Sequence, residues 1–220
     1  MIGDRFPLPE AIAHQVMHVL RLRDGEQLML LDGRGEAAIC RLEQGECLVD
    51  SRGPAGGEPR HHLTVWQALL RGDHLEPVIR HGTEIGISRF RLLVTERCVA
   101  RELSPTRLER LRAVAREAAE QSERGLVPPV DAPLAFTEAL QAAEAGSVLL
   151  FEREGKVRLT EMPPPVGLFI GPEGGITTEE VAVAERAGLA IAGLGPRILR
   201  SESVALAAAA AILSRTGDFA

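Results

Sequence analysis

The segment VGLFIGPEGGITTEEVAVAERAG, residues 166–188, runs from an apolar stretch through a Gly-Pro-Glu-Gly-Gly corner into an amphipathic pattern. Thr177-Thr178-Glu179-Glu180 has the spacing of a capping box and predicts a helix starting at Thr178. A second unit follows: an apolar run from Leu189 to Leu194, a Gly195-Pro196 corner, and a helical pattern from Val204 to Ser214. Successive strand, corner and helix units require parallel neighbouring strands, because a helical crossover returns the chain to its starting edge. Two such loops at adjacent strand ends face each other across one pocket. The chain is therefore expected to be α/β, with a mostly parallel sheet.

The same rhythm extends upstream to about residue 63. LTVWQALL (63–70) reads as a strand, and Asp73 with Glu76 forms an expected capping box for a helix reaching Ile85, with Pro77 in its first turn. FRLLVTE (90–96) is the next strand. Ser104 is the expected N-cap, and Pro105 the first position, of a helix to about Gln121. Another strand is expected from Gly146 to Phe151. The N-terminal pattern differs: a short helix, roughly Glu10 to Arg21, precedes alternating segments EQLMLLDG, GEAAICRLE and GECLVDS, with Gly-containing turns between them. That is the pattern of a small antiparallel barrel or sheet. SRGPAGGEP (51–59) reads as a linker, giving domains of residues 1–58 and 59–220. The alanine run Ala205–Ala211 suits either a buried helix or a close-packed interface.

The net charge of −6 argues against broad attraction to nucleic acid or an anionic membrane. Lys156 is the only lysine; the arginine bias suits bidentate phosphate contacts, and genomic base composition would produce it equally well. No apolar run is long enough for a membrane span, and the opening MIGDRFPLPE lacks the features of a secretion signal, so a cytoplasmic location is expected. Cys40, Cys47 and Cys98 are odd in number and form no CxxC pair, which predicts reduced structural thiols and no zinc site. His14 and His18 stand at i and i+4 without an evident third metal ligand, so packing and surface exposure explain them better. His61-His62 carries no expected role.

The GPEGG corner is a poor phosphate cradle. Its helix cap lies several residues beyond the first glycine, Glu173 would repel an anion, and neither a Walker loop nor a G-x-G-x-x-G fingerprint is present. The corner offers backbone N–H and C=O groups, close approach and one negative charge, which suits a ligand with an adenine ring and a positive centre. A plain left-handed turn is equally compatible with the segment taken alone.

GPEGG followed by LGPRILRSES closely resembles the C-terminal motifs of the SPOUT methyltransferases, in particular the RsmE family of ribosomal small-subunit RNA uracil-N3 methyltransferases. The resemblance extends through LRLRDGEQLMLLDGRGE (20–36), QALLRGDHLEPVIRHGTEIGISRFRLLVTERCV (67–99) and REAAEQSERGLVPPV (116–130). Two departures stand out: His81 where the family usually has lysine, and LRSESV, ending in Val204, for LRTETA.

The resemblance implies a PUA-like, OB-type N-terminal β-barrel and a C-terminal α/β sheet tied in a trefoil knot, an exception to the unknotted rule. It implies an S-adenosylmethionine pocket completed across a homodimer, with Gly171, Pro172, Glu173, Gly174, Leu194, Gly195, Arg197, Ile198 and Leu199 as contacts and Leu150 as a further candidate. The implied reaction methylates N3 of a uridine in 16S rRNA within the small ribosomal subunit. Arg200 is then expected to meet the negative charge of the base, and Glu202 to accept the proton or hold Arg200 in place. Arg21, Arg23 and Arg34 are expected to grip RNA phosphates, with Arg107, Arg110 and Arg124 as a further RNA-facing stripe; a plain solvated face is the alternative for both sets. The competing functions are a SPOUT enzyme acting on ribose 2′-OH or another base, and a non-catalytic ribosome-assembly factor.

Overall fold

The computed structural model describes residues 3–151 and 157–219, so Lys156 lies outside the described residues. The chain divides into two compact units, Met1–Glu58 with Ser122–Val127, and Pro59–Gln121 with Pro128–Ala220.

The first unit contains β1 (Arg5–Pro7), α1 (Glu10–His14), β2 (Gln27–Leu31), β3 (Glu36–Glu43) and β4 (Glu46–Pro54). The strands form an antiparallel sheet in the order β1-β4-β3-β2. Alternation puts Cys40 and Leu42 of β3 and Cys47 and Val49 of β4 on one face, where they pack with Leu8 and Val16. Gln44 and Gly45 both take positive φ, at 55° and 80°, the geometry of a tight primed hairpin turn.

Three expectations change in this unit. The N-terminal helix is α-helical only to His14; a π-helical turn over Gln15–Val19 follows, closed by Leu22 N–H donating to Val16 O at 3.0 Å. Val16 stays in the core, 4% exposed, and Leu22 beyond the turn packs against the same cluster. The expected linker is strand as far as Pro54, because Glu36–Ile39 offers a ladder to pair with it. Arg124 is no part of an RNA-facing stripe: it is 3% exposed and paired with Glu58 at 2.7 Å. Glu58 also accepts Leu126 N–H at 2.9 Å, so its lone pairs and the buried cation are used together.

The second unit contains β5 (Thr64–Ala68), α2 (Leu75–Glu84), β6 (Arg89–Val94), α3 (Pro105–Gln121), β7 (Val130–Ala135), α4 (Phe136–Gln141), β8 (Val148–Leu150), β9 (Val157–Arg158), β10 (Gly167–Ile170), α5 (Thr178–Arg186), β11 (Ala190–Gly193) and α6 (Ser201–Arg215). Its seven strands pair in parallel throughout, in the order β7-β6-β5-β10-β8-β11-β9. With both faces covered, the central strands are continuous apolar runs; β8 and β10 are buried at every position. Trp66 of β5 sits opposite Phe169 of β10 in the register, their rings stacked 4.9 Å apart, and Arg91 of β6 lies 4.7 Å above the Trp66 ring.

Helix starts follow local capping. Thr177 accepts Glu180 N–H at 3.1 Å, and the Glu180 carboxylate accepts Thr177 N–H at 3.0 Å, completing the expected box at α5. Ser104 Oγ accepts Arg107 N–H at 3.3 Å at the start of α3. The box expected at Asp73 does not form: His74 is already helical (φ −64°, ψ −17°), and among the described residues Asp73 contributes only its carbonyl, to Glu76 N–H at 3.0 Å. A capping side chain needs an extended residue at that point. The last helix begins at Ser201, three residues before its expected start, because extended Arg200 serves as N-cap and its carbonyl accepts Ser203 and Val204 N–H. Ala205, Ala208 and Ala209 are fully buried within the unit, which favours the buried reading of the alanine run. No described helix is long and apolar enough to cross a membrane.

Candidate functional site

Strand order creates the site. β10 inserts between β5 and β8, and β11 between β8 and β9, so the chain leaves β8, β10 and β11 at one edge of the sheet. A cavity of about 530 Å³ opens there. Leu150 closes the end of β8, Gly171 to Ile176 form one wall after β10, and Leu194, Gly195 and Arg197 to Arg200 form the other after β11. The first turn of α6 adds Ser201, Glu202 and Val204. Every residue named from the sequence as a cofactor contact or catalytic group thus lines this one cavity.

The GPEGG corner is held from three sides. Glu173 accepts Arg71 N–H at 3.0 Å, and the Gly174 carbonyl accepts from the Arg97 guanidinium at 3.3 Å. Ser201 Oγ donates to the Gly171 carbonyl at 2.5 Å and accepts from Gln67 Nε2 at 3.0 Å, joining the corner to α6 and β5. The glycines are needed for close approach. A Cβ on Gly171 would fall 2.8 Å from Ile176 Cγ1, and one on Gly174 would fall 3.0 Å from Arg97 Cβ. The negative side chain at the corner therefore has a structural partner in the backbone of the loop after β5.

Sequence reasoning missed Ser201 as a tie, and His74. His74 lines the cavity, with Nδ1 3.8 Å from Glu202 Oε1. Among the described residues no hydrogen bond or ion pair joins Glu202 to Arg200, and the Arg200 guanidinium makes none to any other group. The His74–Glu202 pair joins residues 128 positions apart, so no local pattern announces it. Of the two departures from the family pattern, Val204 lines the cavity, whereas exposed His81 pairs with Glu84 at 3.0 Å. His61, given no role from the sequence, has its ring nitrogen 2.8 Å from Pro165 O, just before β10.

In the first unit, Arg5 and Arg41 are neutralised by Glu43 and Asp50. Arg21, Arg23 and Arg34 are exposed, and among the described residues their guanidinium groups have no carboxylate partner. The N–H groups of Arg34 and Glu36 donate to Asp32 at 2.7 and 3.0 Å; these bonds hold the Asp32 carboxyl below its ordinary range and fix the turn that carries Arg34. Arg110 is tied to Glu76 at 2.8 Å, a neutralised ion pair rather than a free cation.

A parallel sheet with a cavity over its carboxyl edge, walled by backbone-rich corners and apolar side chains, belongs to the class of α/β proteins that bind a small molecule at that edge. Residues 57–213 match the model of the RNA methyltransferase domain, and residues 8–46 match the RNA methyltransferase PUA domain. The chain belongs to this RNA methyltransferase family. Ribosomal RNA small subunit methyltransferase E of Synechocystis is 36% identical, over 94% of this chain and 73% of that protein. The Mycobacterium tuberculosis protein of the same name is 35% identical, over 88% of this chain and 80% of its own. The crystal structure of a ribosomal RNA small subunit methyltransferase E from Neisseria gonorrhoeae bound to S-adenosyl methionine superposes with a TM-score of 0.90 at 30% identity, covering 100% of this chain and 95% of that one.

Proposed function

We propose that the protein transfers a methyl group from S-adenosylmethionine to N3 of a uridine in 16S rRNA of the small ribosomal subunit. The observation that carries this reading is the convergence of both sequence motifs, GPEGG and LGPRILRSES, on one cavity with Leu150 between them. The cavity residues fit the cofactor. Leu150, Ile170 and Leu199 offer an apolar bed for an adenine ring, the glycine corners expose backbone donors and acceptors, and Glu173 and Glu202 supply negative charge for a cationic group. When bound, the cofactor would supply an electrophilic methyl group.

The protein's own contribution is charge and position. Loss of the N3 proton spreads negative charge over a nitrogen flanked by two carbonyls, and the uncommitted Arg200 guanidinium is available to meet it. Glu202 accepts the proton, directly or through water, with His74 beside it. Arg21, Arg23 and Arg34 hold RNA phosphates, and the target base reaches the cavity from an unpaired region. The working molecule is a cytoplasmic homodimer: Ile198, an apolar cavity residue 78% exposed in the single chain, supports closure of that loop by a second copy. The placing of β10 and β11 on either side of the earlier β8 supports the knotted crossing that the resemblance implies.

The test is methyl transfer from labelled cofactor to small subunits from a strain lacking the gene, followed by nucleoside mass spectrometry. N3-methyluridine is expected. A ribose-methylated or other product refutes the specific reaction, and failure of the protein to bind S-adenosylmethionine in calorimetry refutes enzymatic function altogether.

A further inference from the structure

The N-terminal helical segment turns an unusual surface to solvent. Val16 anchors one side in the core, with Ala13 packed against it, yet Ile12, Met17, Val19 and Leu20 are 37%, 40%, 65% and 58% exposed. Single exposed aliphatics are ordinary; four within nine residues are a concentration above that background. His14 and His18 are exposed on the same segment, their ring centroids 5.0 Å apart and tilted by 44°. Among the described residues neither ring is engaged by a hydrogen bond or ion pair. The π-helical turn that carries His18 is a local irregularity of a kind found often at functional sites. Immediately beyond it, Arg21 takes a left-handed backbone (φ 55°), and the guanidinium groups of Arg21 and Arg23 are unpaired among the described residues.

We propose that His14 and His18, with the exposed aliphatic side chains of the same segment, form a stacking platform for the unpaired bases of a single-stranded RNA whose phosphates run over Arg21 and Arg23. The combination selects this occupant. Flat rings stack on bases of any sequence, exposed aliphatics cover base faces that water solvates poorly, and cations at one end follow the backbone. A duplex hides its base faces and has no use for the rings. The family model matched over residues 8–46, an RNA methyltransferase PUA domain, spans the whole segment. The inference rests on the reading of the substrate as RNA, and adds how this surface grips it and which residues do so.

The experiment measures binding of the full chain to a fluorescein-labelled 12-nucleotide single-stranded RNA of mixed sequence, and to the same RNA annealed to its complement, without cofactor. Stacking contributes ~1–3 kcal/mol per base, or about 5- to 150-fold in affinity. The double variant His14→Ala/His18→Ala should therefore lose about tenfold or more for the single strand, with an unchanged salt slope and unchanged duplex binding. His14→Phe/His18→Phe should restore binding, because stacking needs a ring and not a charge. Arg21→Ala/Arg23→Ala should instead lower the salt slope by about 0.7 for each phosphate that is no longer neutralised. Circular dichroism and thermal melting establish that each variant is folded.

Wild-type affinity in the alanine double variant overturns the proposal, and so does failure of the phenylalanine variant to restore binding. No measurable single-strand binding by the wild type overturns it too, as does a change of oligomeric state with RNA affinity intact, which would mark a protein-docking patch. The readout needs no methyl transfer. Stacking without methylation would sink the proposed reaction alone, and methylation with indifferent rings would sink this inference alone.

Discussion

Replacing Ser201 by alanine tests whether the cavity is held together as described. The hydroxyl is on a buried residue, 7% exposed, and makes two bonds, one to the Gly171 carbonyl and one from Gln67 Nε2. Gln67 is fully buried and its Oε1 already lacks a partner among the described residues, so little slack exists to absorb the loss. At about 1 kcal/mol per bond, Ser201→Ala should destabilise the protein by ~2 kcal/mol. At about 2–4 °C per kcal/mol for a chain of this size, the melting temperature should fall by ~4–8 °C. The Gly171 wall loses its tie to α6, so calorimetric Kd for S-adenosylmethionine should rise about fivefold, the equivalent of one hydrogen bond. Ser201→Thr keeps the hydroxyl and should fall between wild type and alanine in both measurements. An alanine variant with wild-type melting temperature and wild-type Kd would refute the claim that this hydroxyl joins β5, the GPEGG corner and α6.

Arg200→Ala should lower kcat about 10²- to 10³-fold while Kd for S-adenosylmethionine stays within about threefold, the signature of a donor used as charge develops; equal losses in both would mean that the guanidinium holds the cofactor. Arg124→Ala strands Glu58 without its partner and should cost about 3 kcal/mol, read from urea unfolding; a cost below about 0.5 kcal/mol would count against a structural cation. Burial pushes the Cys47 thiol up to about 11, and Cys40 is raised by the same cause. A raised folded value means stability is complete below the unfolded thiol range, near 8.5, and is lost as pH rises through about 11. The chain has no tyrosine, a single lysine and one further thiol, Cys98, so few other side chains share that range. The urea midpoint should fall from pH 9 to 11, and a flat profile would contradict the burial argument.

Legibility from sequence followed locality. Thr177 and Glu180 are three residues apart and bond each other, so their capping box can be read from the text alone. Asp73 and Glu76 have the same spacing and no box, because the intervening His74 takes a helical conformation that spacing does not encode. The GPEGG and LGPRILRSES corners are recognisable as words, so the residues of the cavity walls can be named without knowing where they lie. Ser201, Gln67, His74 and Glu202 meet only after the sheet is ordered, so their pairings are invisible in the linear chain. Arg124 shows the opposite failure. In a row of polar residues it reads as surface, yet Glu58, 66 positions away, makes its burial tolerable.

The placing of β8 between β10 and β11 also sets an order in time. Leu150 leaves the ribosome before either of the strands that will flank it, and apart from His74 the cavity lining falls between Leu150 and Val204. Since long-range strand pairing waits for its partners to exist, the first unit and the β5–β7 half of the sheet can take shape on a nascent chain that still has no pocket. Ligand affinity therefore arrives late in synthesis, as a property of nearly finished molecules.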